Sequence, residues 1–147
     1  MRDIIYLFGP NLDRLGTRDP AVYGSATLAD LEAGCIDAAA RHGLSAEVLQ
    51  SNREAELVDA VHAAVARNRA IVINPGALTH YSYSLADALA IFSGPKIEVH
   101  LSNVFAREPW RHVSVVAPVV NGTIVGLGDV GFMVATEAVA ALLKAST

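Results

Sequence analysis

Glu98 and His100 stand two residues apart in the stretch IEVHLSN, residues 97–103. Ile97, Val99 and Leu101 are apolar and Glu98, His100 and Ser102 polar, the strict alternation of a short strand. Strand side chains alternate between faces, so Glu98 and His100 project from one face, one pleat apart. A carboxylate beside an imidazole orients the ring and fixes its tautomer, which is what proton transfer requires. The same pattern also describes a half-exposed strand with two solvated polar residues, because periodicity alone does not show function. A second proton-transfer group is available in Tyr23, if Arg18 lies close enough to favour the phenolate; the bland alternative is an aromatic packing its loop onto the body. Arg107 and Arg111 are four apart and share a face if their segment turns helically, suiting either a substrate carboxylate or hydroxyl, or solvent.

These residues need a frame. Residues 4–8 form an apolar run ended by Gly9-Pro10 and are expected to be the first strand. A polar loop over residues 11–24 follows, without periodicity; a loop of that length inside a compact domain is usually functional or disordered. Thr27 starts a helix, with Asp30 three residues on completing a capping signal, and Gly43 ends it. Residues 46–50 form a second strand, 54–67 a second helix with Leu57, Val58, Val61 and Val65 at helical spacing, and 70–73 a third strand ended by Asn74-Pro75-Gly76. A helix over 83–92, a strand over 96–101, a polar Arg-rich stretch over 106–112, an extended segment over 113–116, a strand over 123–127 and an apolar helix over 131–144 complete the chain. Strands alternating with helices imply right-handed crossovers and a parallel sheet covered on both faces. Five strands suggest the flavodoxin-like order 2-1-3-4-5 in an α/β three-layer sandwich, with ligands beyond the carboxyl ends of the strands. Asn11, Asn74, His80, Glu98, His100, Ser102 and Asn103 all fall at or just past such ends.

Composition narrows the function classes. A chain of 147 residues fits one domain, 1–147, with a real core. At 52% hydrophobic and 18% charged it is not globally disordered. No apolar run approaches the roughly 20 residues of a membrane helix. The start MRDIIYLFGPN reads as a strand and not as a signal peptide. The lone Cys35 can form no internal disulfide, which fits a reducing cytoplasm. A net charge of −4 without a basic run argues against nucleic acid as a partner.

The fold class alone decides nothing. A receiver domain needs acidic residues after the first strand, an Asp at the third and a Lys at the fifth; Gly-Pro-Asn, Asn-Pro-Gly and Gly-Leu-Gly stand there instead. A phosphate or flavin site needs a short turn running straight into a helix N-terminus, and the loop over 11–24 is long. A metal could use His80, His100 and Glu98, but there is no paired-His motif or Cys cluster. Acid–base chemistry on an anionic small molecule remains.

The segments GPNLDRLGTRDPAVYG, SNREAELVDAVH, INPGALTH, IEVHLSNVFAREPWRHVS and GLGDVGF, in that order along essentially the whole chain, resemble type II 3-dehydroquinate dehydratase. The resemblance implies the flavodoxin-like fold, a dodecamer built from trimers, no metal or organic cofactor, and dehydration of 3-dehydroquinate to 3-dehydroshikimate by anti elimination through an enolate. It implies a place in the shikimate pathway of aromatic amino-acid biosynthesis or in quinate breakdown. It also implies roles: Tyr23 the base at C2, Arg18 the group favouring its phenolate, Asn11 the holder of an enolate-stabilising water, His100 the acid for the leaving C1 hydroxyl, and Glu98 its orienter. By the same resemblance Asn74, His80 and Arg111 hold substrate hydroxyls, the backbone of Leu101 and Ser102 binds the carboxylate, Asp87 reaches a neighbouring subunit's site, and Arg107 anchors the lid formed by residues 11–24. Four positions depart from the family pattern: Phe8 for Asn, Asp13 for Asn or Gly, Ala86 for Arg and Phe105 for His. Two expectations follow from these: Asp13 pairs with Arg14 or Arg18, and Phe8 packs with Phe105 under the pocket.

Overall fold

The computed structural model describes residues 1–17 and 19–146. Five parallel strands, β1 (Arg2–Phe8), β2 (Ala46–Gln50), β3 (Asn68–Asn74), β4 (Lys96–His100) and β5 (Gly122–Val125), form one sheet in the order β2-β1-β3-β4-β5. This is the flavodoxin-like order expected from the sequence. The central strands are apolar on both faces because helices cover both. Ile4, Tyr6 and Phe8 point to one side, where α2 (Leu28–Arg41) and α5 (Val130–Ala145) bring Leu31, Cys35, Phe132 and Val139. Ile5, Leu7, Ile71 and Ile73 point to the other, against Leu57 and Val61 of α3 (Glu54–Arg67) and Leu85 and Leu89 of α4 (Tyr83–Ile91). Each such fully buried side chain contributes about 1.5–3 kcal/mol relative to exposure.

Local sequence sets the ends of these elements. The Thr27 hydroxyl accepts from the Asp30 N–H while the Asp30 carboxylate accepts from the Thr27 N–H, a closed capping box that starts α2. At the switch between β1 and β3 two glycines let neighbouring turns touch. A Cβ on Gly9 would lie 2.5 Å from the Pro75 carbonyl, and Gly76, at φ +61°, would press one to 2.9 Å from the Pro10 oxygen. The crevice at the strand ends is therefore built by backbone contact.

Three expectations need correction. Residues 113–116 are not extended throughout: Val115 donates its N–H to the Thr79 carbonyl, and Val116, at φ −84° and ψ −36°, already turns into a 3-10 turn at Ala117–Val119. β4 stops at His100 and β5 at Val125, because Gly126, at φ +84°, turns away after donating to the His100 carbonyl. The loop over 11–24 carries structure of its own: a 3-10 turn at Leu12–Arg14 and a four-residue helix, α1 (Pro20–Tyr23). Asp19 caps α1 through the Ala21 N–H and Pro20 supplies the first helical φ. Among the described residues no helix is long and apolar enough to cross a membrane.

Candidate active site

The carboxyl ends of β1, β3 and β4 open into a cleft of about 130 Å³, lined by Asn11, Tyr23, Asn74, His80, His100, Leu101, Ser102, Arg107 and Arg111 together with the Pro10, Leu12, Gly76, Ala77 and Val104 walls. An apolar cavity of about 150 Å³ admits benzene, so the space suits a single six-membered ring. Asn11, Asn74, His80, Leu101, Ser102 and Arg111, all anticipated from the sequence, thus meet in one place.

His100 presents Nε2 to Glu98 Oε1 at 2.7 Å. Glu98 itself is fully buried, beneath the pleat, and reaches no part of the cleft wall. It accepts from Thr79, from Ser114 at 3.0 and 3.1 Å, and from Thr123 at 3.3 Å. Burial pushes its carboxyl up, but the bonds from His100 and Thr79, the His100 charge and the Ser114 bond outweigh burial together, and the net shift is downward.

His80 donates from Nδ1 to the Val113 carbonyl at 2.7 Å, leaving Nε2 for the cleft. Its ring lies nearly parallel to that of His100 at 6.5 Å and meets Trp110 edge-on at 5.3 Å. Burial lowers its pKa, with the charges of His100 and Arg111 adding to the effect against the Val113 carbonyl and Glu98. Arg111 stacks over Trp110 at 4.0 Å and commits its Nε to Glu108 at 2.6 Å, and among the described residues its terminal nitrogens make no bond, which leaves them for a ligand. Asn74 lines the cleft and uses its side-chain oxygen to hold the Gly76 N–H at 3.0 Å, so its amide nitrogen is the group left to donate to a ligand. Asn11 is held at φ +71° by its own N–H donating to Asn52 at 2.8 Å.

Tyr23 comes from a different element, α1. Arg107 donates to its hydroxyl at 2.8 Å and to the Ser102 hydroxyl at 3.1 Å, and its guanidinium lies 5.1 Å from the Tyr23 ring. The expected Arg18 lies outside the described residues. Asp87 is exposed on α4 and does not line the cleft of its own chain. Asp13 accepts from Asn52 at 3.1 Å and makes no ion pair with Arg14. Phe8 packs on Phe132 at 5.2 Å in the core, whereas Phe105 is 61% exposed beside His112, so the two aromatics do not floor the pocket. Among the described residues no three His, Cys, Asp or Glu side chains gather as metal ligands. Thr79, Ser114, Asn52 and Glu108 were not foreseen as site residues. The signal for the first two was faint: Thr79 precedes His80 in INPGALTH, and Ser114 is the one hydroxyl in the apolar run VSVV.

The model of the family described as Dehydroquinase class II matches residues 2–140. This chain belongs to that family. The dehydroquinases similar to it include "3-dehydroquinate dehydratase 2" of Pseudomonas putida, 54% identical over 96% of this chain and 95% of that protein. The "3-dehydroquinate dehydratase" of Bacillus subtilis is 48% identical over 93% of each. The solved type II dehydroquinase from Propionibacterium acnes superposes with a TM-score of 0.91 at 44% identity, covering 96% of this chain and 97% of that one.

Proposed function

We propose that this class II dehydroquinase removes water from 3-dehydroquinate to give 3-dehydroshikimate, by anti elimination through an enolate. The Tyr23 phenolate takes the C2 proton, and the C–H electrons move onto the C3 carbonyl. The enolate then re-forms the carbonyl and pushes out the C1 hydroxyl, which leaves as water with the proton of His100. One proton is taken and one given, so the step balances with the acid and base of the chain.

The observation that carries this reading is that Tyr23 and His100 line one cleft from different elements. Each is engaged by an ionised partner, Arg107 for Tyr23 and Glu98 for His100. Groups on separate elements can act on opposite sides of a ring, as anti elimination demands. Developing enolate charge is stabilised best by fixed dipoles; Asn11, through a held water, fills that role. Asn74, His80 and Arg111 take the substrate hydroxyls, and the backbone at Leu101 and Ser102 takes the carboxylate. Residues 11–24 act as a lid that delivers Tyr23 and excludes water when closed, with Arg18 in the role of favouring the phenolate. Phe8, Ala86 and Phe105 do not line the cleft, which supports 3-dehydroquinate rather than another polyhydroxy carboxylate. The enzyme works in the cytoplasm as a single-domain protomer of a dodecamer built from trimers, with Asp87 completing a neighbouring site. Growth of the conjugated-enone absorbance on adding 3-dehydroquinate tests the reaction; a monomer by light scattering contradicts the assembly.

A further inference from the structure

Glu98 is sealed from solvent, and among the described residues its one ion-pair partner is His100. Its other bonds come from hydroxyls on three separate segments, Thr79 after β3, Ser114 before β5 and Thr123 on β5. Ser114 fixes the direction of the protons. Its Oγ accepts the N–H groups of Val116 at 3.2 Å and Ala117 at 2.9 Å, which occupy both lone pairs of a hydroxyl. Its single proton is then turned to the carboxylate. Thr79 Oγ1, 3.1 Å from a Ser114 oxygen with no lone pair left, directs its own proton to Glu98 Oε1 as well. Two donors aimed at one carboxylate favour the anion and oppose the acid. The surrounding titratable and charged groups are His100 on β4, His80 beside Thr79, and Arg111 and His112 before Ser114. Of these only His100 bonds Glu98.

We propose that Thr79 and Ser114 are positioning residues: by donating to Glu98 they keep it ionised, which commits Nε2–H of His100 to Glu98 and leaves Nδ1 as the atom that takes up a second proton and, from the imidazolium, delivers it in the cleft. Nδ1 makes no protein bond among the described residues, and no sealed side-chain nitrogen or oxygen there lacks a partner, so Nδ1 is not sealed, and His100 lines the cleft. The proposal rests on His100 being the acid of the reaction above.

The test uses the full chain and the Thr79→Val, Thr79→Ser and Ser114→Ala variants, with two readouts. Nitrogen NMR of histidine-labelled protein without substrate reads the tautomer of neutral His100; kcat and KM against pH read its use. The wild type is expected as the Nε2–H tautomer. The Val and Ala variants are expected to show a share of Nδ1–H and an acid limb of kcat moved up by about one pH unit, with KM changed less. Thr79→Ser keeps the wild-type behaviour. An Nδ1–H wild type overturns the proposal without any variant. So does activity lost equally at every pH with the limb unmoved. A silent wild-type assay with the tautomer shifts present overturns the reaction assignment and with it the catalytic part of the proposal, while the hydroxyl cage stands.

Discussion

His100 ends a strand of the sheet and rests on a carboxylate that is fully buried. Tyr23 ends a four-residue helix none of whose residues is buried, and its hydroxyl meets Arg107 across the cleft. The first group is placed by the same packing that folds the chain. The second is only half-buried: its ring packs at the edge of the core and its hydroxyl is held by Arg107. Damage on the His100 side should therefore cost stability together with activity, whereas damage on the Tyr23 side should cost activity alone.

The largest effects test the two chemical groups. Tyr23→Phe and His100→Ala should each lower kcat by at least about a hundredfold, the scale of a lost acid or base; normal turnover by either removes its role. Glu98→Gln should separate the two regions most clearly. It places an amide among hydroxyl donors, so it should lower unfolding free energy by about 2 kcal/mol while reducing kcat. Denaturant melts of Glu98→Gln and Tyr23→Phe side by side give the comparison, and equal stability of the two contradicts it. Arg107→Met should lower kcat about tenfold, the worth of a charged hydrogen bond, with a melting temperature near that of the wild type.

The pH dependence of stability is a smaller effect with a definite sign. Glu98 has a folded pKa below its ordinary 4.5, so its contribution is present above that pH and is lost as pH falls beneath it. His80 has a folded pKa below its ordinary 6.5, so the fold favours its neutral form and loses that contribution as pH drops below 6.5. The melting temperature should fall in two stages on acidification, first below pH 6.5 and again below 4.5; a melting temperature that rises on acidification contradicts both assignments. Smallest of all, Asp13→Ala should leave kcat within about twofold, because Asp13 is an exposed partner of Asn52. A large gain in kcat would mean that Asp13 opposes the activation of Tyr23.

The same contrast explains what the sequence disclosed. Sheet order and the Glu98–His100 pair were legible because alternation and apolar runs are set by burial, and β1, β3 and β4 are the most buried strands. Thr27 and Asp30 were legible because a capping box is local. α1 was not, since four residues are too few to show a helical period. Residues 113–116 misled because Val113, Val115 and Val116 look extended, while their place is set by Thr79 and Glu98, far away in sequence. The hydroxyl cage around Glu98 was hidden for the same reason: each donor comes from a different segment, and a lone Ser or Thr carries no pattern.

One measurement bears on the central claim most directly: the rate of conjugated-enone formation from 3-dehydroquinate by the wild type, Tyr23→Phe and His100→Ala in parallel, each confirmed folded. Steady product formation by the wild type and a loss of at least about a hundredfold in both variants is the predicted result. A folded wild-type protein that forms no enone, or a variant that turns over at the wild-type rate, contradicts the assignment of a base and an acid to opposite sides of this cleft.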